Sequence, residues 1–99
     1  MKHSIQFSAG ALRDLQSIPA HLRAAVVTAI ESHLAHEPEL ISRSRIKRLR
    51  GLSRPQYRLR VDEMRIFYDV VEGSVEVIAV IPKGRTHTWL AENSTPESI

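Results

Sequence analysis

The stretch that most constrains this chain is Tyr57 to Val70, YRLRVDEMRIFYDV, where two alternating runs flank a polar pair. Tyr57, Leu59 and Val61 share one side of an extended strand, and Arg58 and Arg60 take the other, because successive strand side chains point to opposite faces. Asp62 and Glu63 interrupt the pattern as a turn. Met64, Ile66, Tyr68 and Val70 resume it, with Arg65 and Phe67 on the opposite parity. The result is a β-hairpin, and with Val61 opposite Met64 its register sets Arg60 against Arg65 and Arg58 against Phe67. Three guanidinium groups then crowd one face. Like charges opposed on a sheet destabilise it, so the arrangement predicts an anion, a phosphate by chemistry, between them.

The rest of the chain supplies elements to pack against this hairpin. Lys2 to Phe7 alternates and predicts a short first strand. Ser8 is placed to cap a helix over Ala9 to Ser17, with Ala11, Leu12, Leu15 and Ile18 at helical spacing, and Pro19 closes it. A second helix, Ala20 to Ala35, buries Leu22, Val26, Ala29, Ile30, His33 and Leu34, giving an αα-hairpin. Glu37 to Ser44 reads as a mobile, irregular link and Ser53 to Gln56 as a turn. After a turn at Gly73, Val75 to Ile81 has only Glu76 as a polar residue, as a central strand buried on both faces would. Pro82 ends it, Lys83 to Trp89 forms a polar loop, Leu90 to Glu92 adds a helical turn, and Asn93 to Ile99 is a frayed tail. The order β-α-α-β-β-β predicts an α+β fold: a small, mostly antiparallel sheet with the αα-hairpin on one face, in one domain over residues 1–92.

Composition narrows the class of function. The 99 residues contain no cysteine, which excludes disulfides and thiolate metal sites and fits a reducing compartment. Arg13 and Asp14 sit where a signal peptide needs an apolar core, and no apolar run reaches the roughly 20 residues that span a bilayer, so a cytoplasmic protein is expected. Net charge is only +3, but Arg43, Arg45, Lys47, Arg48, Arg50, Arg54, Arg58, Arg60 and Arg65 fall in one span whose only acids are Asp62 and Glu63. A basic run is usually a solvated face. The dominance of arginine over lysine, and a strand that fixes the last members, favour bidentate contact with a polyanion instead. His3, His21, His33, His36 and His87 show no metal-ligand spacing and no acidic cluster is present, so no metal or other cofactor is expected.

The pattern KRLRGL, YRLRV, a turn, MRIFYDV, a Gly turn, VEVIAVIPKGR and a terminal aromatic resembles the RelE/ParE superfamily of toxins from type II toxin–antitoxin pairs, and within it the RelE branch. The resemblance covers nearly the whole chain and is most specific over Leu49 to Tyr68. It implies a ribosome-dependent endoribonuclease that cuts messenger RNA in the ribosomal A site and is neutralised by a cognate antitoxin. It also implies functional roles for Arg58 and Arg60, where the branch has a basic pair, for Arg65 early in the next strand, and for Lys83 or Arg85 after the last strand. Trp89 falls on the branch's terminal tyrosine. Two departures stand out: the branch's pair is typically lysine, which can shed a proton where arginine cannot, and Trp89 does not titrate.

Cleavage of this type needs attack by a 2′-OH on phosphorus, charge stabilisation on the phosphorane and a proton for the leaving 5′-oxygen. Arg58, Arg60 and Arg65 suit the second requirement. His87, between Arg85 and Trp89, is the candidate proton carrier, the other reading being an exposed loop histidine. Arg48, Arg50 and Arg54 are candidate RNA contacts. Trp89 either stacks on a base or packs the C-terminal segment on the sheet, with stacking preferred. Tyr57 and Tyr68 follow the core parity. Two further readings share the fold: a ParE-like toxin that inhibits DNA gyrase by binding, and a catalytically weakened RNA- or ribosome-binding module.

Overall fold

A computed structural model describes residues 2–98. In chain order the elements are β1 (Ser4–Phe7), α1 (Ala9–Gln16), α2 (Ala20–Leu34), β2 (Ile46–Arg48), β3 (Leu52–Arg54), β4 (Tyr57–Val61), β5 (Met64–Val71), β6 (Ser74–Pro82), one 3₁₀ turn (Lys83–Arg85), α3 (Thr86–Asn93) and β7 (Thr95–Pro96). Five strands form a sheet in the order β1-β6-β5-β4-β2, in which only β1 and β6 run parallel. The α+β class and the packing of the αα-hairpin on one sheet face match the sequence expectation.

The central hairpin has the register read from its alternation: Val61 pairs with Met64, Arg60 with Arg65 and Arg58 with Phe67. Asp62 turns it with φ of 51°, a left-handed conformation that aspartate tolerates better than most residues. The next two-residue turn places Glu72 and Gly73 at positive φ, as a hairpin of I′ type requires. The strands then send Leu59, Met64, Ile66, Tyr68, Val75, Val77 and Val80 into one core with Ala11, Leu15, Val26, Ile30 and Leu34 of the helices.

Local hydrogen bonds explain the helical hairpin. The Ser8 hydroxyl accepts from the Ala11 amide at 3.0 Å, satisfying one of the free N–H groups at the α1 start. The Arg23 guanidinium donates to the carbonyls of Leu15 at 2.8 Å and Ile18 at 3.0 Å, tying the α1 end to α2. Helix α1 also covers an open sheet edge. β1 pairs with β6 only through Val77, and beyond it Ser8 Oγ donates to the Ile78 carbonyl while Asp14 Oδ2 accepts from the Val80 amide, both at 2.9 Å.

Three expectations need correction. The basic link contains a sheet strand, β2, which Ser42 starts by accepting from the Arg45 and Ile46 amides at 3.0 Å each. The stretch after Pro82 is helical from Lys83 to Asn93 instead of a loop with one late turn, because the aromatic ring of Trp89 anchors it against the sheet. Within the expected tail, Thr95–Pro96 pairs with β3, and the Glu97 amide donates to the Gly51 carbonyl at 3.0 Å; Ile99 lies outside the described residues. The link ahead of β2 is also tied to the core, where the Tyr68 hydroxyl donates to the Pro38 carbonyl at 2.6 Å.

Candidate functional site

The sheet face away from α1 and α2 carries the other parity of the same strands. Register aligns Lys47 of β2, Arg58 of β4, Phe67 of β5 and Ala79 of β6 in one row across it, with Arg60, Arg65 and Ile81 in the next. Phe67, Ala79 and Ile81 form a small second core under Trp89 and Leu90 of α3. The Trp89 ring lies against Phe67 with centroids 5.0 Å apart and planes 14° from parallel. Helix α3 therefore covers the apolar part of this face and leaves its cations beside a cleft.

That cleft, 180 Å³, is lined by Lys47, Leu49, Arg58, Arg65, Phe67, Thr86 and Leu90. A neighbouring 500 Å³ depression shares Lys47, Leu49 and Leu90 and adds Arg50 and Leu52, so one trough runs between β2 and α3. Arg58 Nε is buried and has no hydrogen-bond partner. Burial first, then the Arg65 and Arg60 guanidiniums, lower Arg58 from the ordinary guanidinium range. Arg65 is aimed by its own turn: Nη1 donates to the Asp62 and Met64 carbonyls at 2.9 Å each. No carboxylate lines the trough among the described residues. Preset cations and an unspent donor suit an anion with several oxygens.

The sequence-predicted residues divide into four groups. Arg58 and Arg65 share the cleft, and Arg50 lines its extension. Arg60 is exposed at the hairpin end, beside Arg45 and Asp62 in a separate depression. Lys83 is engaged with Glu63 at 3.1 Å and Arg85 is exposed on the 3₁₀ turn, both outside the cleft lining.

The others are displaced from the expected role. Arg48 points to the opposite parity: its Nη1 donates to the carbonyls of Leu49 at 2.9 Å and Gln56 at 2.8 Å, and its guanidinium lies 5.4 Å from the Tyr57 ring centroid. It braces the backbone. Arg54 faces Asp69 at 3.6 Å and lines a different depression with Gln6 and Glu76. His87 is exposed on α3 and does not line the trough; Thr86 and Leu90 are the residues α3 turns toward it. Trp89 has the packing role of the two considered. Tyr57 and Tyr68 stack on the helix side with centroids 5.5 Å apart, and burial pushes the Tyr68 phenol up.

Sequence reasoning missed Lys47 and Thr86. In the sequence Lys47 is one member of a basic run, and only the pairing of β2 with β4 sets it beside Arg58. Its signal was the apolar Ile46 and Leu49 flanking a basic pair, too short a run to read as a strand.

Residues 5–86 match the family model described as the ParE toxin of type II toxin–antitoxin systems, parDE. The chain belongs to this family. As a ParE-family toxin of the RelE/ParE superfamily, it shares its fold with three solved structures of particular interest. It is similar to a chain of the RelBE2 toxin–antitoxin complex of Mycobacterium tuberculosis at 26% identity and TM-score 0.68, covering 83% of this chain and 92% of that one. It is also similar to a chain of the archaeal RelE–RelB complex of Pyrococcus horikoshii at 22% identity and TM-score 0.69, covering 86% and 99%. The third is the Escherichia coli toxin RelE in the free state, in a form with two arginines replaced by alanine, at 22% identity and TM-score 0.69 over 93% and 94%. No curated protein matches in sequence. In the toxin described here, the family match runs from β1 to the first residue of α3, and so includes every strand that builds the basic face. No helix among the described residues is long and apolar enough to cross a membrane.

Proposed function

We propose that this toxin is a metal-independent, ribosome-dependent endoribonuclease that cuts messenger RNA in the ribosomal A site and thereby stops translation in the cytoplasm. The observation that carries the reading is the buried, unpartnered Arg58 Nε, held next to Arg65 in a cation-lined cleft. Keeping charge there costs stability unless a phosphate completes the hydrogen bonds. In the proposed reaction the RNA backbone enters the trough with the scissile phosphate between Arg58 and Arg65. Donors fixed in place stabilise charge as it develops on the phosphorane, a contribution that typically reaches about 10² to 10³ in rate per donor. Arg50, in the extension of the trough, holds a neighbouring phosphate.

An acidic antitoxin is the proposed protein partner, in keeping with the toxin–antitoxin complexes among the structural relatives and with a trough that carries no carboxylate of its own. A second reading, inhibition of DNA gyrase by binding, is favoured by the match to the ParE family model.

Two assays on wild-type protein separate the readings. Primer extension on a defined messenger RNA in a reconstituted translation reaction is expected to give cuts within A-site codons, while gyrase supercoiling of relaxed plasmid continues. Blocked supercoiling without RNA cuts would establish the gyrase reading. Bound ribosomes with neither effect would leave a weakened binding module.

A further inference from the structure

Among the described residues the cations lining the trough are the guanidinium groups of Arg50, Arg58 and Arg65 and one amine, that of Lys47, the kind of side chain that can pass on a proton where a guanidinium does not. The other groups facing it are Arg58 from β4, Arg65 from β5, Arg50 beyond β2, and the Thr86 hydroxyl from α3, which gives its hydrogen to the Lys83 carbonyl at 2.9 Å. No carboxylate, imidazole or phenol lines either part of the trough among the described residues. The two groups that chemistry would otherwise choose are turned away, His87 on the outer side of α3 and the tyrosines on the helix side of the sheet. Lys47 also sits across the β2–β4 ladder from Arg58, the guanidinium with the unspent donor, so the amine borders the place where the phosphate is held.

We propose that Lys47 is the proton donor to the leaving 5′-oxygen, an inference that rests on the endoribonuclease reading. A lysine ammonium carries three N–H donors and no acceptor, so it brings the proton that the leaving oxygen needs. In the step, the 2′-oxygen bonds to phosphorus and its proton passes to solvent water. The bond from phosphorus to the 5′-oxygen breaks, and that oxygen takes a proton from Lys47 Nζ. The products are a 2′,3′-cyclic phosphate and a 5′-hydroxyl, and water restores the ammonium. Arg58 and Arg65 neutralise the phosphorane throughout and exchange no proton.

The test uses two messenger RNAs that differ at one atom, the leaving 5′-oxygen or a sulfur in its place, since a thiolate leaves without being protonated. Single-turnover cleavage on ribosomes is measured for wild type, Lys47→Arg, Lys47→Ala and Arg58→Ala. On the oxygen substrate both Lys47 variants are expected to slow cleavage by about 10²-fold or more, the usual range for acid–base help. On the sulfur substrate both recover to the wild-type rate, which also shows that they are folded and bind RNA, whereas Arg58→Ala stays slow on both. Lys47→Arg cutting the oxygen substrate at the wild-type rate, or losing the same factor on both substrates, would overturn the assignment while leaving the endoribonuclease reading intact. Wild-type protein that cuts neither substrate would overturn both.

Discussion

The two faces of the central sheet are made by the same strands and obey opposite rules. On the helix side, Leu59, Ile66, Tyr68, Val77 and Val80 meet α1 and α2, and the buried Tyr68 hydroxyl is satisfied by the Pro38 carbonyl. On the other side, one residue away along each strand, Lys47, Arg58 and Arg65 surround a cleft, and a buried guanidinium nitrogen has no partner. The first face is shaped by burial and gains stability from each contact. The second keeps charges that repel one another, and only the small Phe67–Trp89 core holds α3 over it. In a strand this short, alternation alone is enough to separate what stabilises the fold from what the fold is for.

Substitutions on each face should therefore change different observables. The largest stability effect is expected on the helix side: Ile66→Ala, at a position with no solvent exposure, should cost about 2 to 5 kcal/mol in urea unfolding and abolish toxicity by unfolding the protein. Arg65→Ala should reverse that pattern, lowering cleavage about 10²- to 10³-fold, or roughly 3 to 4 kcal/mol in the barrier, with the thermal midpoint at or above that of wild type. A melting loss as large as that of Ile66→Ala would erase the distinction between the faces. Tyr68→Phe, which removes only the hydroxyl that holds Pro38, should cost about 1 kcal/mol and leave cleavage unchanged.

The smallest effect is a pH slope at the acidic end of the second face. Burial raises the Asp69 carboxyl above its usual 3.8, opposed by the Gln56 amide at 2.7 Å and by Arg54. A carboxyl with a raised folded pKa binds more protons in the folded than in the unfolded state. Its stabilisation is thus complete below 3.8 and is lost as pH rises through the folded value. Unfolding free energy measured across that window should fall for wild type, and Asp69→Asn should lose that component of the slope.

How much of this was legible in the sequence follows from how each element is held. The β4–β5 register and the Ser8 cap are written in local pattern, and both were readable. Strand β2 has three residues and exists by pairing with β4; helix α3 begins Thr-His-Thr-Trp with no side-chain cap and exists by placing Trp89 on Phe67. Their signals are tertiary. The same reason explains the site: Arg58 and Arg65 come from the readable hairpin, whereas Lys47 and Thr86 reach the cleft only on β2 and α3, and Arg48 leaves it for the loop carbonyls of Leu49 and Gln56 and Arg54 for Asp69 of β5.

The most direct test of the division between the faces is a paired measurement on Arg58→Met, which keeps the apolar stem and removes the guanidinium. The account predicts a thermal midpoint at or above wild type, a gain of up to about 1 kcal/mol from relieved repulsion, together with no A-site cuts in primer extension. Wild-type cleavage by this variant, or its loss accompanied by marked destabilisation, would contradict the claim that Arg58 is kept for a phosphate at the expense of the fold.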